Sequence, residues 1–298
     1  MINEKELLSL ISANRDLLEK YAEKRLCTDD SSLQTVYDSM NYSFTAGGKR
    51  VRPFLAIESA RMLGGAVDNV LPAACAIEMI HTYSLIHDDL PCMDDDYLRR
   101  GKPTNHRVYG EAVAVLAGDA LLTEAFSTVA DATVPTNDEK IALVSLLAEC
   151  AGARGMIGGQ LVDLESESNR IPLETLQKMH SLKTGQLIRA SCLIGAICAG
   201  YGAETPQYAA LDTYARKIGI VFQIVDDILD TTSTAEVLGK NVGSDKENDK
   251  TTYMSFYSVS EALDIARQLT DEAIMAISPY DTNCVLSAFA SYLLNREF

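Results

Sequence analysis

Gly219-Ile220-Val221-Phe222-Gln223-Ile224-Val225-Asp226-Asp227-Ile228-Leu229-Asp230 is an apolar run that ends in three carboxylates and passes at once into Thr231-Thr232-Ser233-Thr234. It reads as a helix stopping just after Asp230. Asp226 and Asp230 then lie about 40° off a common face, with Asp227 roughly 100° away. Carboxylates beside Val225, Ile228 and Leu229 need a cation to offset their desolvation and mutual repulsion. At a helix C-terminus each also opposes the macrodipole, at a cost of about a few tenths of a kcal/mol. Nothing nearby in the sequence offsets this, so bound cations are the expected source of positive charge.

A second acidic stretch, Asp88-Asp89-Leu90-Pro91-Cys92-Met93-Asp94, is built differently. Pro91 disfavours a helical conformation at Leu90, so Asp88 and Asp89 are expected to close a helix. Residues 90–93 would then bulge and return Asp94. Either cluster alone reads equally well as a solvated acidic helix end. Two of them, each in apolar surroundings, point to a metal-dependent site. Carboxylate oxygens suit Mg²⁺, with Mn²⁺ also fitting, and such ions share their remaining positions with water and substrate phosphates. The EF-hand spacing is absent.

The rest of the chain is helical in pattern. Prolines 53, 72, 91, 103, 135, 172, 206 and 279 fall at expected breaks, and the segments between them carry helix-spaced apolar residues. Thr136-Asn137-Asp138-Glu139 and Ser258-Val259-Ser260-Glu261 match capping boxes, and Pro206 follows Thr205 as a first helical residue should. Period-two alternation is hard to find. The reading is about ten helices, most of 15–25 residues, forming one all-α domain over residues 1–298, with a long polar loop at 231–252.

A chain of 298 residues with 47% hydrophobic and 23% charged residues is expected to be globular. A net charge of −16 and a pI near 4.6 argue against nucleic acid or an anionic membrane as the main partner. Seven scattered cysteines without a CxxC pair suit free thiols in a reducing compartment. With no signal-like N-terminus and no apolar run near the ~18 residues of a membrane span, the expected location is cytoplasmic.

Cations complete the pattern. Gly47-Gly48-Lys49-Arg50-Val51-Arg52-Pro53 puts two glycines and three cations at a helix start, a geometry suited to an anion. Arg99-Arg100-Gly101-Lys102-Pro103 follows the first acidic cluster and also serves simple charge balance for Asp94, Asp95 and Asp96. Lys183-Thr184-Gly185 interrupts a helical stretch, and Lys240 and Lys250 lie in or beside the polar loop. His81, seven residues before Asp88, falls within about 20° of the same helical stripe.

Together, residues 81–104 and 219–230 resemble the two aspartate-rich motifs of the trans-prenyltransferase family, and the segments around 47–53, 183–184, 238–240 and 249–253 fall in its order. The resemblance covers roughly residues 40–255 and is similar in detail to the bacterial farnesyl diphosphate synthases. It implies an all-α bundle around a deep cavity, usually a homodimer, and Mg²⁺-dependent condensation of isopentenyl diphosphate with dimethylallyl and geranyl diphosphate. On that basis Asp88, Asp94 and Asp226 would ligate metal directly, with Asp89, Asp227 and Asp230 in support. Gly48, Lys49, Arg52, His81 and Arg100 would hold isopentenyl diphosphate. Arg99, Lys183, Lys240 and Lys250 would hold the allylic diphosphate, with Thr184 and Gln223 near the allylic cation.

Tyr83, about 7–8 Å below Asp88 on the same helix, would floor the pocket near a C15 product, with Ser84 beside it. Its alternative reading is ordinary core packing. A geranylgeranyl or longer-chain synthase, a terpene cyclase and a non-catalytic regulatory subunit are the competing readings. The second aspartate motif and the site for a second diphosphate argue against the cyclase, and two intact motifs argue against the subunit. The match loosens after Lys250, where Met254-Ser255-Phe256 replaces the family's Pro-x-Leu, and no role is assigned to Arg296. Gly152, Gly155, Gly158 and Gly159 read as points of close helix packing.

Overall fold

Apolar residues at helical spacing, punctuated by caps rather than by strands, fold into helices throughout the computed structural model, which describes residues 2–133, 135–167, 169–232 and 250–296. The order is α1 (Glu4–Arg25), α2 (Gln34–Phe44), α3 (Val51–Met62), α4 (Val67–Asp88), α5 (Asn105–Tyr109), α6 (Glu111–Ala130), α7 (Asn137–Ala151), α8 (Met156–Glu165), α9 (Leu173–His180), α10 (Gln186–Cys198), α11 (Pro206–Thr232), α12 (Val259–Ile277) and α13 (Val285–Asn295). A π-helical turn, Ser181–Gly185, joins α9 to α10, and a 3₁₀ turn, Tyr253–Ser255, precedes α12. One small antiparallel ladder, β1 (Leu98–Arg99) with β2 (Lys102–Pro103), pairs Leu98 with Pro103 and Arg99 with Lys102.

The all-α expectation holds, and so do the caps. Thr136 and Ser258 each close a capping box with Glu139 and Glu261, and Thr205 accepts from the Tyr208 amide at 3.3 Å. Helix number and length differ from the reading. The described residues form thirteen α-helices, several shorter than 15 residues. The extra breaks carry no proline: α7 gives way to α8 across residues 152–155, where glycine-rich backbone leaves the helical region. Conversely, Pro72 lies inside α4, where burial of the neighbouring residues 73–80 offsets the one hydrogen bond it removes.

Helices α3, α4 and α10 are buried nearly all round and form the centre. Small residues let them approach closely. A Cβ on Gly195 of α10 would stand 2.5 Å from the Ser59 Cβ and 2.6 Å from the Ala56 carbonyl oxygen of α3. Helix α6 packs on α4, and α12 on α11. The buried Tyr214 hydroxyl of α11 donates to the Leu286 carbonyl of α13 at 2.8 Å. All seven cysteines are free.

The expectation that no segment is apolar enough to span a membrane needs correction. Residues 111–130 and 137–165 qualify by length and hydropathy. The first is α6, packed along α4, and the second is broken at the α7–α8 junction. Only part of each apolar window is buried within the fold.

Gly195→Ala is expected to destabilise the fold by about 1–3 kcal/mol through overpacking of α10 on α3. A downward shift of the urea midpoint with unchanged slope would show it.

Candidate active site

The first acidic stretch folds as its proline dictates. Helix α4 ends at Asp88, and Asp89 serves as its C-cap. The Met93 and Asp95 amides donate to the Leu90 carbonyl at 2.9 and 3.1 Å, and the Asp94 amide donates to the Asp88 carbonyl at 2.9 Å. The bulge thus returns Asp94 to Asp88. Burial pushes the Asp88 carboxyl up to about 6; Lys183 and Arg99 draw it down, while Asp94 and Asp89 push it further up. Lys183, from the π turn, therefore lies in the field of this cluster. Asp89 is buried and gripped by Arg99, whose Nε donates to it at 2.6 Å while Nη2 reaches Asp96 at 3.3 Å.

The second stretch gains a positive charge from afar in the chain: Arg296 folds back from beyond α13, donates to Asp226 and lies over the Phe222 ring at 4.4 Å. Asp227 is buried and accepts the Tyr253 amide at 2.7 Å. Asp230 is half-buried near the end of α11. Arg296 was missed because only folding brings it to Asp226.

Beside the second stretch lies a cavity of about 170 Å³ lined in part by Asp163, Lys183, Thr184, Gln223, Asp227 and Lys250. The structure thus brings together the expected Lys183, Thr184, Gln223 and Lys250. Lys183 and Thr184 stand on the π turn, a local geometry often found at functional sites. Gly159 makes room for that turn, since a Cβ there would stand 2.6 Å from the Lys183 Cα, in keeping with the close-packing reading of the glycines.

Asp163 is the second residue that sequence reasoning missed. Its carboxylate accepts from the Lys183 Nζ at 2.6 Å and lies 3.6 Å from the Lys250 Nζ. Burial opposes its ionisation, but Lys183, Lys250 and His180 outweigh burial and hold its carboxyl below the ordinary range. His180 is driven down to about 4, mainly by burial. The signal was present: Asp163 is an acid among Leu161, Val162 and Leu164, the same anomaly that marked the other two clusters.

The third group is basic. Gly47 and Gly48 adopt φ of +91° and +116°, and the Arg100 guanidinium lies across them, donating to the Gly47 carbonyl. A Cβ at Gly48 would stand 2.5 Å from that guanidinium. Lys49 contacts the Tyr292 hydroxyl at 3.3 Å. The Nε of half-buried Arg52 has no hydrogen-bond partner. His81 is held well below its ordinary pKa by burial and by Arg52, Arg100, Arg50 and Arg99. Residues from three separate segments thus lie near one another here.

Tyr83 is buried one and a half turns below Asp88; its ring meets His87 edge-on at 5.7 Å, and its hydroxyl has no partner. Burial and Asp88 push its pKa up to about 12. Ser84 donates to the His81 carbonyl on its own helix. Lys240 lies outside the described residues. Among those residues, no three of His, Cys, Asp and Glu converge tightly enough to hold a metal ion by themselves. The hard-oxygen pair of half-buried Asp88 and exposed Asp94 fits an ion that completes its shell with water or a bound anion.

Known proteins resemble this chain in sequence and in fold. The family model for polyprenyl synthetase matches residues 33–289. A geranylgeranyl diphosphate synthase of Cyanophora paradoxa is 44% identical over 98% of this chain and 97% of its own. A farnesyl diphosphate synthase of Bacillus subtilis is 50% identical over 75% of this chain and 76% of its own. The crystal structure of geranylgeranyl pyrophosphate synthetase from Pyrococcus horikoshii superposes with a TM-score of 0.88 at 31% identity, covering 98% of this chain and 99% of that one.

Asp163→Ala is expected to lower the unfolding free energy at pH 7 by about 1.5–3 kcal/mol, less in a Lys183→Met background. Because the folded pKa of Asp163 is depressed, its contribution is present above the ordinary carboxylate pKa and fades as pH falls through the lowered value. Urea titrations of the double-mutant cycle at pH 7 and pH 3 would measure both effects.

Proposed function

The chain belongs to the polyprenyl synthetase family and is a prenyltransferase, a prenyl diphosphate synthase, and from that premise we propose that it joins isopentenyl diphosphate to dimethylallyl and then geranyl diphosphate, making farnesyl diphosphate. The observation that carries this reading is the presence of two kinds of anion site: a cavity beside Asp227 with Lys183 and Lys250 on its wall, and a separate basic cluster at residues 47–52, 81 and 100.

In this reading Asp88, Asp94 and Asp226 would hold Mg²⁺, with Asp89, Asp227 and Asp230 in support, and Mn²⁺ would serve the same oxygens. When bound, the ions neutralise charge developing on the leaving diphosphate. Lys183 and Lys250, with Arg99 and Lys240, bind the allylic diphosphate and stabilise it as the C–O bond breaks. Thr184 and Gln223 turn polar groups toward the allylic carbon. Gly48, Lys49, Arg52, His81 and Arg100 hold isopentenyl diphosphate so that its alkene faces that carbon, and surrounding apolar side chains keep water from the cation. The released diphosphate accepts the proton lost after the new C–C bond forms.

Tyr83 supports a C15 product, because its ring fills the space about 7–8 Å below Asp88. A second reading, a C20 product, is favoured by the relatives: the match spanning nearly the whole chain and the superposed structure both carry geranylgeranyl names. The names weigh more on the C20 side, and the tyrosine ring on the C15 side. The whole chain would act as one domain. Exposed Val115 and Leu116 on α6, and Ile157 and Leu161 on α8, support a homodimer interface. Free thiols support the reducing, cytoplasmic setting expected from composition.

Purified protein with Mg²⁺, isopentenyl diphosphate and geranyl diphosphate should yield farnesyl diphosphate by chromatography, and Tyr83→Ala should shift products toward C20. Geranylgeranyl diphosphate as the main wild-type product would establish the second reading instead. EDTA should abolish turnover and added Mg²⁺ restore it. By calorimetry, Mg²⁺ should bind weakly alone and at least tenfold more tightly with a non-hydrolysable allylic diphosphate analogue; equal affinity in both would contradict the shared coordination.

A further inference from the structure

Three cations stand at the start of α3, and the structure separates their roles. Lys49 is exposed and Arg52 half-buried, whereas the Arg50 side chain is 2% exposed and turns inward. Its Nη1 donates to the Glu78 carboxylate at 2.8 Å, and its Nη2 donates to the Phe44 carbonyl. That carbonyl belongs to the last residue of α2, so Arg50 satisfies a helix-end acceptor. The guanidinium also lies over the Phe44 ring, 5.1 Å from its centroid.

The backbone tells the same story. Arg50 has φ of +48°, a left-handed conformation uncommon for a residue with a side chain. Such strain persists where the surroundings over-determine it. Here the surroundings are the end of α2, the Phe44 ring and Glu78.

Glu78 is buried on α4, three residues before His81 and so within one helical turn of it. Burial weakens the charged forms of Arg52 and Arg100, and at both positions Glu78 is the leading group that restores them. Arg50, Arg52 and Arg100 would otherwise repel one another in a poorly solvated corner.

We propose that Arg50 and Glu78 are a positioning pair for the second diphosphate. Arg50 pins the residue 47–52 segment in the shape that presents Gly48, Lys49 and Arg52. Glu78 is the resident counter-anion that keeps the guanidiniums together before the ligand arrives. Neither touches the substrate. The inference rests on the prenyl synthase reading and deepens it by separating binders from the pair that aims them.

Steady-state kinetics with isopentenyl and geranyl diphosphate test it. Glu78→Gln keeps the shape and an acceptor for Arg50 while removing the charge. The KM for isopentenyl diphosphate should rise about tenfold, with kcat and the KM for geranyl diphosphate within about twofold of wild type. Glu78→Asp should recover most of the loss, and Arg50→Lys should reproduce the Glu78→Gln pattern. Unchanged constants, or equal rises in both KM values, would overturn the proposal. So would loss of helical circular dichroism in both Glu78→Gln and Arg50→Lys, which would make the pair a folding element only. An inactive wild type would sink the prenyl synthase reading and this inference together, whereas an active wild type with an insensitive Glu78→Gln sinks the inference alone.

Discussion

A single backbone hydrogen bond, from the Asp94 amide to the Asp88 carbonyl, organises the mouth of the candidate site. Were α4 to run on, Asp94 would lie more than a turn away from Asp88. Pro91 prevents that continuation, and the Leu90 carbonyl gathers the Met93 and Asp95 amides to close the bulge. Two carboxylates then share one corner, and burial makes ionisation of Asp88 costly there. The corner gains from any cation that enters it, and that is the physical basis of a metal-dependent reaction.

The cations follow a common rule. Several in or around the site are each held by an acid: Lys183 by Asp163, Arg99 by Asp89, Arg296 by Asp226 and, behind them, Arg50 by Glu78. A protein carrying a net charge of −16 can in this way gather basic groups without scattering them by repulsion. The pairs differ in accessibility. Lys183 and Asp226 are about one-third exposed, so an incoming diphosphate or metal ion can compete for them, whereas Arg50 and Glu78 are sealed. Exchangeable pairs suit binding, and sealed pairs suit support.

Legibility in the sequence followed the range of the interactions. Caps, the Pro91 bulge and the placing of Asp226 and Asp230 on one helix depend on neighbours within a few residues, and they were readable. Pro72 misled because its rule is also local, while the burial that overrides it is not. Asp163 carried the signature of an acid among apolar residues, but as a single carboxylate it resembled a surface charge. Arg296 carried none, since its partner lies 70 positions away.

Sequence alone determined that this chain is all-α, that it has two acidic stretches of unlike construction, and that cations accompany them, because each is written in local spacing and side-chain chemistry. Tertiary structure decided which cation meets which acid. It placed the π turn over Gly159, aimed Lys183 at Asp163, returned Arg296 to Asp226 and buried Arg50 against Glu78. Those pairings arise from packing between helices remote in the chain, and charge acts through space, so no local pattern in the sequence could have specified them.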